Sequence, residues 1–150
     1  MINIALYQPD IPQNTAAIIR TCSCLNIRLE IIKPTGFILN EKKLDRVYLD
    51  YLENCKIIYH ESFEEFFETK NHENIILFTT KSKNRYYNHK FKKEDTLLFG
   101  SESKGVHQNV HDKIIYKLNI PINTETRSLN LASSVAIGAS EALRQIHING

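Results

Sequence analysis

The chain has 150 residues, and its 19 lysines and arginines against 17 aspartates and glutamates give a formal net charge of +2. Its 42% hydrophobic and 24% charged residues are typical of a folded globular protein and exclude a disordered or fibrous chain. The length predicts one domain over residues 1–150.

The first half of the chain predicts alternating strands and helices. Residues 3–7 are an apolar run that ends before Pro9, as expected for a buried strand. Asn14 is a suitable N-cap for a helix whose apolar residues recur at helical spacing as far as Leu25. The pattern then predicts strands over 28–32 and 56–59, and helices over 44–55 and around Phe63, Phe66 and Phe67.

The second half continues the alternation. Uninterrupted apolar runs predict strands over 75–79, 96–99 and 114–120, followed by a long helix over 128–147. Together these elements predict an α/β fold with a mostly parallel sheet and helices on both faces. Because ligands bind beyond the carboxyl ends of such strands, the candidate site comprises the loops after Phe78, Phe99 and Ile120.

The loop after Phe99 holds two glycines, Gly100 and Gly105, at the spacing of a phosphate-binding loop. Val106 and His107 occupy the Lys and Ser/Thr positions of that motif, which excludes a P-loop. Two interpretations stay open from these residues alone. The turn either lets a ligand approach its backbone closely or is an ordinary polar turn.

The last predicted helix is rich in small residues. Ser128 or Asn130 is expected to cap it, since Ser and Asn favour that position. Gly138 lies in its interior, where glycine costs about 1 kcal/mol relative to alanine. We expect the small side chains to allow close approach of a neighbouring backbone, either within the chain or in a second subunit.

Residues 81–93 carry six lysines and arginines and no acidic residue. Tyr86, Tyr87 and Phe91 are interleaved with these cations, a combination suited to stacking on exposed RNA bases. The alternative is a solvated loop whose aromatic residues anchor it to the core.

Three cysteines, Cys22, Cys24 and Cys55, leave one unpaired under any disulfide pairing. This odd number and a start unlike a signal peptide predict a reducing, cytoplasmic location. No second cysteine pair or spaced histidines complete a tetrahedral set, so we expect no metal. The longest apolar stretch, 129–143, is interrupted by polar residues and is shorter than a bilayer-spanning helix, so we expect no membrane contact.

Three segments, in this order and at this spacing, resemble one family. They are residues 8–20, 99–105 and 120–131, with Gln8-Pro9, Gly100-Ser101-Glu102 and Ser128-Leu129-Asn130 among their motif residues. The chain resembles RNA 2′-O-ribose methyltransferases of the SPOUT class, and within it the bacterial enzymes that methylate cytidine or uridine 34 of tRNA. The resemblance covers essentially the whole chain. It implies a C-terminal trefoil knot, a homodimer, S-adenosyl-L-methionine as cofactor and tRNA as substrate.

The same resemblance implies roles for individual residues. The implied cofactor-binding residues are Phe78, Thr79, Gly100, Glu102, Ile120, Ser128, Leu129 and Asn130. The implied catalytic residues are Arg20, Asn14, Ser128 and Asn130. Because a guanidinium stays protonated, we expect Arg20 to bind an RNA phosphate and stabilise a developing alkoxide. RNA contacts are expected from Lys81, Lys83, Arg85 and Arg127.

The sequence leaves two alternatives to methylation of the wobble nucleotide. The first keeps the chemistry and moves the target to another tRNA position or to ribosomal RNA. The second is a non-catalytic RNA-binding protein that uses residues 81–93.

Overall fold

The computed structural model describes residues 1–38 and 51–149. Its strands are β1 (Asn3–Tyr7), β2 (Arg28–Ile32), β3 (Ile57–His60), β4 (Ile75–Phe78), β5 (Thr96–Phe99) and β6 (Tyr116–Leu118). Its helices are α1 (Pro12–Leu25), α2 (Phe63–Glu68), α3 (Gln108–Lys113) and α4 (Leu131–Asn149). Residues 51–54 are also helical, and the rest of the helix predicted over 44–55 lies outside the described residues.

The strands form one sheet in the order β3-β2-β1-β5-β4-β6, and every neighbouring pair is parallel. The predicted α/β fold with a parallel sheet is therefore confirmed. The order reverses beside β1, whose neighbours are β2 on one side and β5 on the other. The carboxyl ends of β1, β5, β4 and β6 thus lie along one edge, which is the geometry that creates a ligand crevice.

Two hydrophobic clusters cover the two faces of the sheet. Successive side chains of a strand point to opposite faces, and in β1 Ile4 and Leu6 join one cluster while Ala5 and Tyr7 join the other. The first cluster includes buried residues of α1 and α4, and the second includes buried residues of α2 and α3. The strands are therefore covered on both sides, as their uninterrupted apolar sequences predicted.

The start of α1 differs from the prediction. Its N-cap is Ile11, which has no side-chain capping bond, and Pro12 occupies the first helical position. Asn14 lies in the first turn, so the prediction that it caps the helix is wrong. A proline supplies no amide hydrogen and presets the helical backbone, which makes a side-chain cap less necessary. The Asn14 amide is consequently free to serve another contact.

At the start of α4, the predicted cap is confirmed for Asn130. Its Oδ1 accepts a hydrogen bond from the backbone amide of Ser133 at 3.1 Å. The helix then runs past Gly138, where an added Cβ would lie 2.9 Å from Cζ of Phe78. The close neighbour at this position is a side chain within the chain, the ring of Phe78 at the end of β4, and not the backbone that the sequence led us to expect.

Three features of the fold were not anticipated. The short helix α3 precedes β6, and β6 covers 116–118 rather than the predicted 114–120, because Ile114 is buried in the second cluster. The carboxyl group of Glu30, on β2, is also buried. Its Oε2 lies 2.7 Å from Nε2 of His60 on β3, and its Oε1 accepts a hydrogen bond from Nζ of Lys70. Among the described residues, no helix is long and apolar enough to cross a bilayer.

Candidate cofactor cavity at the carboxyl edge of the sheet

The carboxyl ends of the central strands open into a cavity of about 540 Å³, a size typical of small-molecule sites. Its apolar lining comes from Leu77 and Phe78 of β4 and Phe99 of β5. The rings of Phe78 and Phe99 stack with centroids 4.8 Å apart. Polar groups of the following loops complete the walls, so a ligand here would meet both an aromatic surface and many hydrogen-bonding groups.

The cavity brings together residues far apart in the sequence. All eight residues implied as cofactor-binding line it, namely Phe78, Thr79, Gly100, Glu102, Ile120, Ser128, Leu129 and Asn130. Asn14 and Lys81 line it as well. Thr79 is fixed there because its backbone amide donates to the carbonyl of Leu118 at 2.8 Å, which ties the end of β4 to the end of β6.

The glycine loop after β5 is a tight backbone turn. Ser101 and Gly105 exchange two backbone hydrogen bonds of 3.0 and 2.9 Å. A Cβ on Gly100 would lie 2.5 Å from the carbonyl carbon of Gly105, and Gly105 itself adopts a φ of +68°. Only glycine satisfies both conditions. The turn therefore places backbone groups directly at the cavity wall, which favours the interpretation of close ligand approach over that of an ordinary polar turn.

A pair of carboxyl groups joins this loop to the end of β1. Oε2 of Glu102 accepts hydrogen bonds from the backbone amides of Asp10, at 3.2 Å, and of Ile11. The hydroxyl of Ser103 donates to Oδ2 of Asp10. The turn that holds Glu102 is thereby fixed against the segment that leads into α1.

The two carboxyl groups titrate in opposite directions. Burial, with a further contribution from the Asp10 side chain, raises the pKa of Glu102 to about 7. The hydrogen bond from Ser103 lowers the pKa of Asp10. Glu102 therefore titrates near neutral pH, while Asp10 is ionised there. Oε1 of Glu102 and Oδ1 of Asp10 are both buried, and neither has a hydrogen-bond partner by distance among the described residues. The influence of each carboxyl on the pKa of the other indicates that the two side chains interact.

Asn14 and Asn130 meet at the mouth of the cavity. Nδ2 of Asn130 donates to Oδ1 of Asn14 at 3.0 Å, while Oδ1 of Asn130 is occupied as the cap of α4. Each amide thereby fixes the other. The oxygen of Asn14 is engaged, so its Nδ2 is the group that can donate to a substrate oxygen.

His111 was not identified from the sequence. It lies on α3, lines the cavity, and its Nε2 is buried without a hydrogen-bond partner among the described residues. Buried polar atoms are normally paired, so an unpaired one in a cavity indicates a ligand contact. No sequence signal marked it, because α3 is short, polar and outside the recognised segments.

Several predicted residues lie away from the cavity lining. Arg20 is exposed on α1, with its guanidinium carbon 5.2 Å from the ring centroid of Tyr51. Lys83, Arg85 and Arg127 are exposed as well. Their predicted contacts with RNA are compatible with this exposure, since RNA is too large to enter the cavity.

The aromatic residues of segment 81–93 divide into two groups. Phe91 is 5% exposed and belongs to the core cluster, and Tyr86 packs against that cluster. For these two rings the structure supports the alternative of anchoring to the core. Tyr87, by contrast, is 48% exposed and remains accessible for stacking.

The model of the SpoU rRNA Methylase family matches residues 1–140. The chain belongs to this family. Membership confirms the resemblance to RNA methyltransferases of the SPOUT class, and a protein of Beijerinckia indica described as tRNA (cytidine(34)-2′-O)-methyltransferase supports it further. That SpoU relative is 38% identical over 145 residues, which cover 95% of this chain and 91% of the relative.

Two solved structures share the fold. One, described as giving insight into the 2-OH methylation of C/U34 on tRNA, has a TM-score of 0.88 at 38% identity and covers 97% of this chain and 95% of its own. Another is a SpoU methyltransferase of Streptomyces viridochromogenes in complex with the cofactor AdoMet. It has a TM-score of 0.84 at 21% identity and covers 99% of this chain and 58% of its own, a likeness that shows the fold.

Proposed function

We propose that this protein methylates the ribose 2′-hydroxyl of nucleotide 34, a cytidine or uridine, in certain tRNAs, with S-adenosyl-L-methionine as methyl donor. The observation that carries the proposal is the 38% identity, over 95% of the chain, to a relative described with that activity. The cavity supports it, because it unites every residue that the resemblance implied for cofactor binding.

The residues of the cavity fit such a cofactor. An aromatic wall at Phe78 and Phe99 suits the adenine ring, and the glycine turn exposes backbone groups beside it. Nε2 of His111, buried without a partner among the described residues, supplies a polar group that a bound ligand would satisfy. When bound, S-adenosyl-L-methionine supplies a methyl group on a positively charged sulfur.

The residues of the chain would align the ribose oxygen with that methyl group. In this proposal Nδ2 of Asn14 donates to the ribose, held in place by Asn130. Arg20 lies six residues further along α1, about 9 Å along the helix axis, where it would bind an adjacent phosphate. Positioning and electrostatic stabilisation of the developing alkoxide would account for the catalysis without a covalent enzyme intermediate.

We further propose that the enzyme is a cytoplasmic homodimer of single-domain subunits and that its C-terminal segment forms a trefoil knot. The family resemblance supports the knot. It also supports the dimer, and size-exclusion chromatography with light scattering would measure the dimer directly.

The proposed function can be tested with purified protein, radiolabelled S-adenosyl-L-methionine and tRNA that lacks modification at position 34. We expect label in tRNA, located at the 2′-oxygen of nucleotide 34. Arg20→Ala should lose most of this activity and Arg20→Lys should retain part of it, because lysine keeps the charge but not the bidentate geometry. A folded wild-type protein that binds the cofactor and labels no tRNA would contradict the proposal.

The family description favours ribosomal RNA as a second candidate substrate. The same assay with rRNA transcripts separates the two. Labelling of rRNA with unlabelled tRNA would establish the alternative. Labelling of tRNA alone would support nucleotide 34.

A further inference from the structure

We infer that Tyr87, held by Arg85, is a stacking platform for one unpaired base of the RNA substrate beside the cavity; the inference rests on the proposed function. Tyr87 is the exposed ring of segment 81–93, at 48%, and it has a free path to solvent that Phe91, at 5%, lacks. Base–aromatic stacking requires such an accessible ring face.

The orientation of the Tyr87 ring is fixed from two sides. Nη1 of Arg85 donates to its hydroxyl oxygen at 3.3 Å. Tyr86, itself packed on the core, meets the ring edge-on with centroids 5.3 Å apart. A ring that is already oriented loses little conformational freedom on binding, which favours affinity.

The platform is attached rigidly to the cavity wall. The backbone amide of Tyr86 donates to the carbonyl of Asn119 at 3.0 Å, and the amide of Asn119 donates to Asn84 at 2.7 Å. Asn119 directly precedes Ile120, which lines the cavity. Ser82 also donates from Oγ to the carbonyl of Lys117 at 2.7 Å. These bonds tie the segment that carries Tyr87 to the residue preceding Ile120, so an RNA strand whose ribose lies at the cavity also lies beside this segment.

The charge around Tyr87 matches a nucleic acid. Segment 81–93 contains six cationic residues and no acidic one. None of the six takes part in an ion pair among the described residues, so their charges are available to phosphates. Lys81 lines the cavity, and Lys83 and Arg85, which follow it in the chain before Tyr87, are exposed; these cations would attract the sugar–phosphate backbone.

Tyr59 provides a matched control. It is 44% exposed and has a cation, Lys33, 5.6 Å from its ring centroid, but that lysine is paired with Glu61 at 3.1 Å. It lies on β3, at the opposite edge of the sheet from β6. Five strand spacings separate the two edges, about 24 Å. Tyr59 thus shares the exposure of Tyr87 and lacks both its charge environment and its location.

The test measures binding of a tRNA anticodon stem–loop that carries 2-aminopurine at one unpaired position at a time. We expect wild type and Tyr87→Phe to quench the fluorescence at one position. Tyr87→Ala should abolish that quenching and weaken binding by roughly 5- to 150-fold, the range for loss of one stacked base. Tyr59→Ala should behave as wild type. The slope of the logarithm of affinity against the logarithm of salt concentration should stay unchanged in Tyr87→Ala. It should become shallower in Lys83→Gln, because a lysine that neutralises a phosphate releases counterions and a tyrosine does not.

Binding of Tyr87→Ala within twofold of wild type, with quenching retained at the position where wild type shows it, would overturn the inference. A wild-type protein that methylates tRNA in that case would leave the proposed function intact. Conversely, quenching that depends on Tyr87 in a protein that methylates no tRNA would support the platform and contradict the proposed enzyme activity.

Discussion

Asn130 and Asn14 are 116 positions apart in the chain, and Nδ2 of Asn130 donates to Oδ1 of Asn14 at 3.0 Å. Asn130 performs a second task with its Oδ1, which caps α4 at the amide of Ser133. One side chain therefore fixes both the end of a helix and the amide that faces the cavity. The two tasks can be separated by mutation.

Asn130→Asp should retain the stability of the fold and lose activity. A carboxylate still accepts from Ser133, but it cannot donate to Asn14, whose amide would turn and present its oxygen to the substrate. Asn130→Ala should lose activity and, in addition, about 1 kcal/mol of stability with the cap. We expect kcat to fall by roughly 100-fold in both variants, the effect of a misplaced reacting group. Steady-state kinetics and thermal denaturation measure the two effects, and full activity in Asn130→Asp would exclude the proposed role.

The raised pKa of Glu102 predicts a dependence of stability on pH. Between the usual carboxyl value and about 7, the folded protein holds a proton that the unfolded chain releases, so Glu102 makes the fold less stable as pH rises through this range. Glu102→Gln removes this titration. Relative to wild type, the variant should gain stability from pH 5 to pH 8, on the order of 1 kcal/mol after allowance for solvent screening.

Urea denaturation of both proteins at pH 5 and pH 8 measures that gain. Asp10 does not contribute to the difference, because its pKa is lowered and lies below this range. Other groups that titrate in the range, such as Asp95, with a pKa raised to about 6, affect both proteins alike. A stability difference that is equal at the two pH values would show that Glu102 is not protonated in the folded protein.

The two glycines of the turn after β5 should differ in their tolerance of alanine. Gly100→Ala places a Cβ 2.5 Å from backbone of Gly105, which cannot move aside without opening the turn. Gly105→Ala meets no atom within 4 Å and bears only the strain of its positive φ, about 1–2 kcal/mol. Calorimetric titration with S-adenosyl-L-methionine should show the larger loss of affinity in Gly100→Ala. Equal losses would mean that the shape of the turn does not determine cofactor binding.

Gly138→Ala tests the close approach of α4 to β4. The new Cβ would lie 2.9 Å from Cζ of Phe78 and displace the ring that lines the cavity. We expect overpacking of about 1–3 kcal/mol to exceed the gain of about 1 kcal/mol in helix propensity. The control is Ser140→Ala, an exposed position on the same helix that lacks such a contact. A Gly138→Ala protein that is more stable than wild type and binds cofactor normally would contradict this interpretation.

Local patterns were sufficient to predict much of the fold. The apolar runs of β1, β4 and β5 identify those strands, because they are buried on both faces. The short helix α3 was missed because its six residues include only one buried apolar side chain, Val110. Asn14 was misassigned as a cap because a proline at the first helical position serves the same purpose.

The candidate site was less predictable than the fold. The motifs identified the loops, but the environment of Glu102 arises only when the end of β1 lies beside the end of β5, and its partner Asp10 is 92 positions away. The burial of Glu30 with His60 and Lys70 depends in the same way on the pairing of distant elements. Such contacts follow from tertiary packing, which a sequence pattern of a few residues does not encode.

The most direct test of the account is to map 2′-O-methylation in tRNA from cells that lack this protein, with and without wild-type protein or Asn130→Asp supplied in trans. We predict that nucleotide 34 of certain tRNAs loses its ribose methyl group, regains it with wild type and does not regain it with Asn130→Asp. Full methylation of nucleotide 34 in the deletion strain would contradict the account.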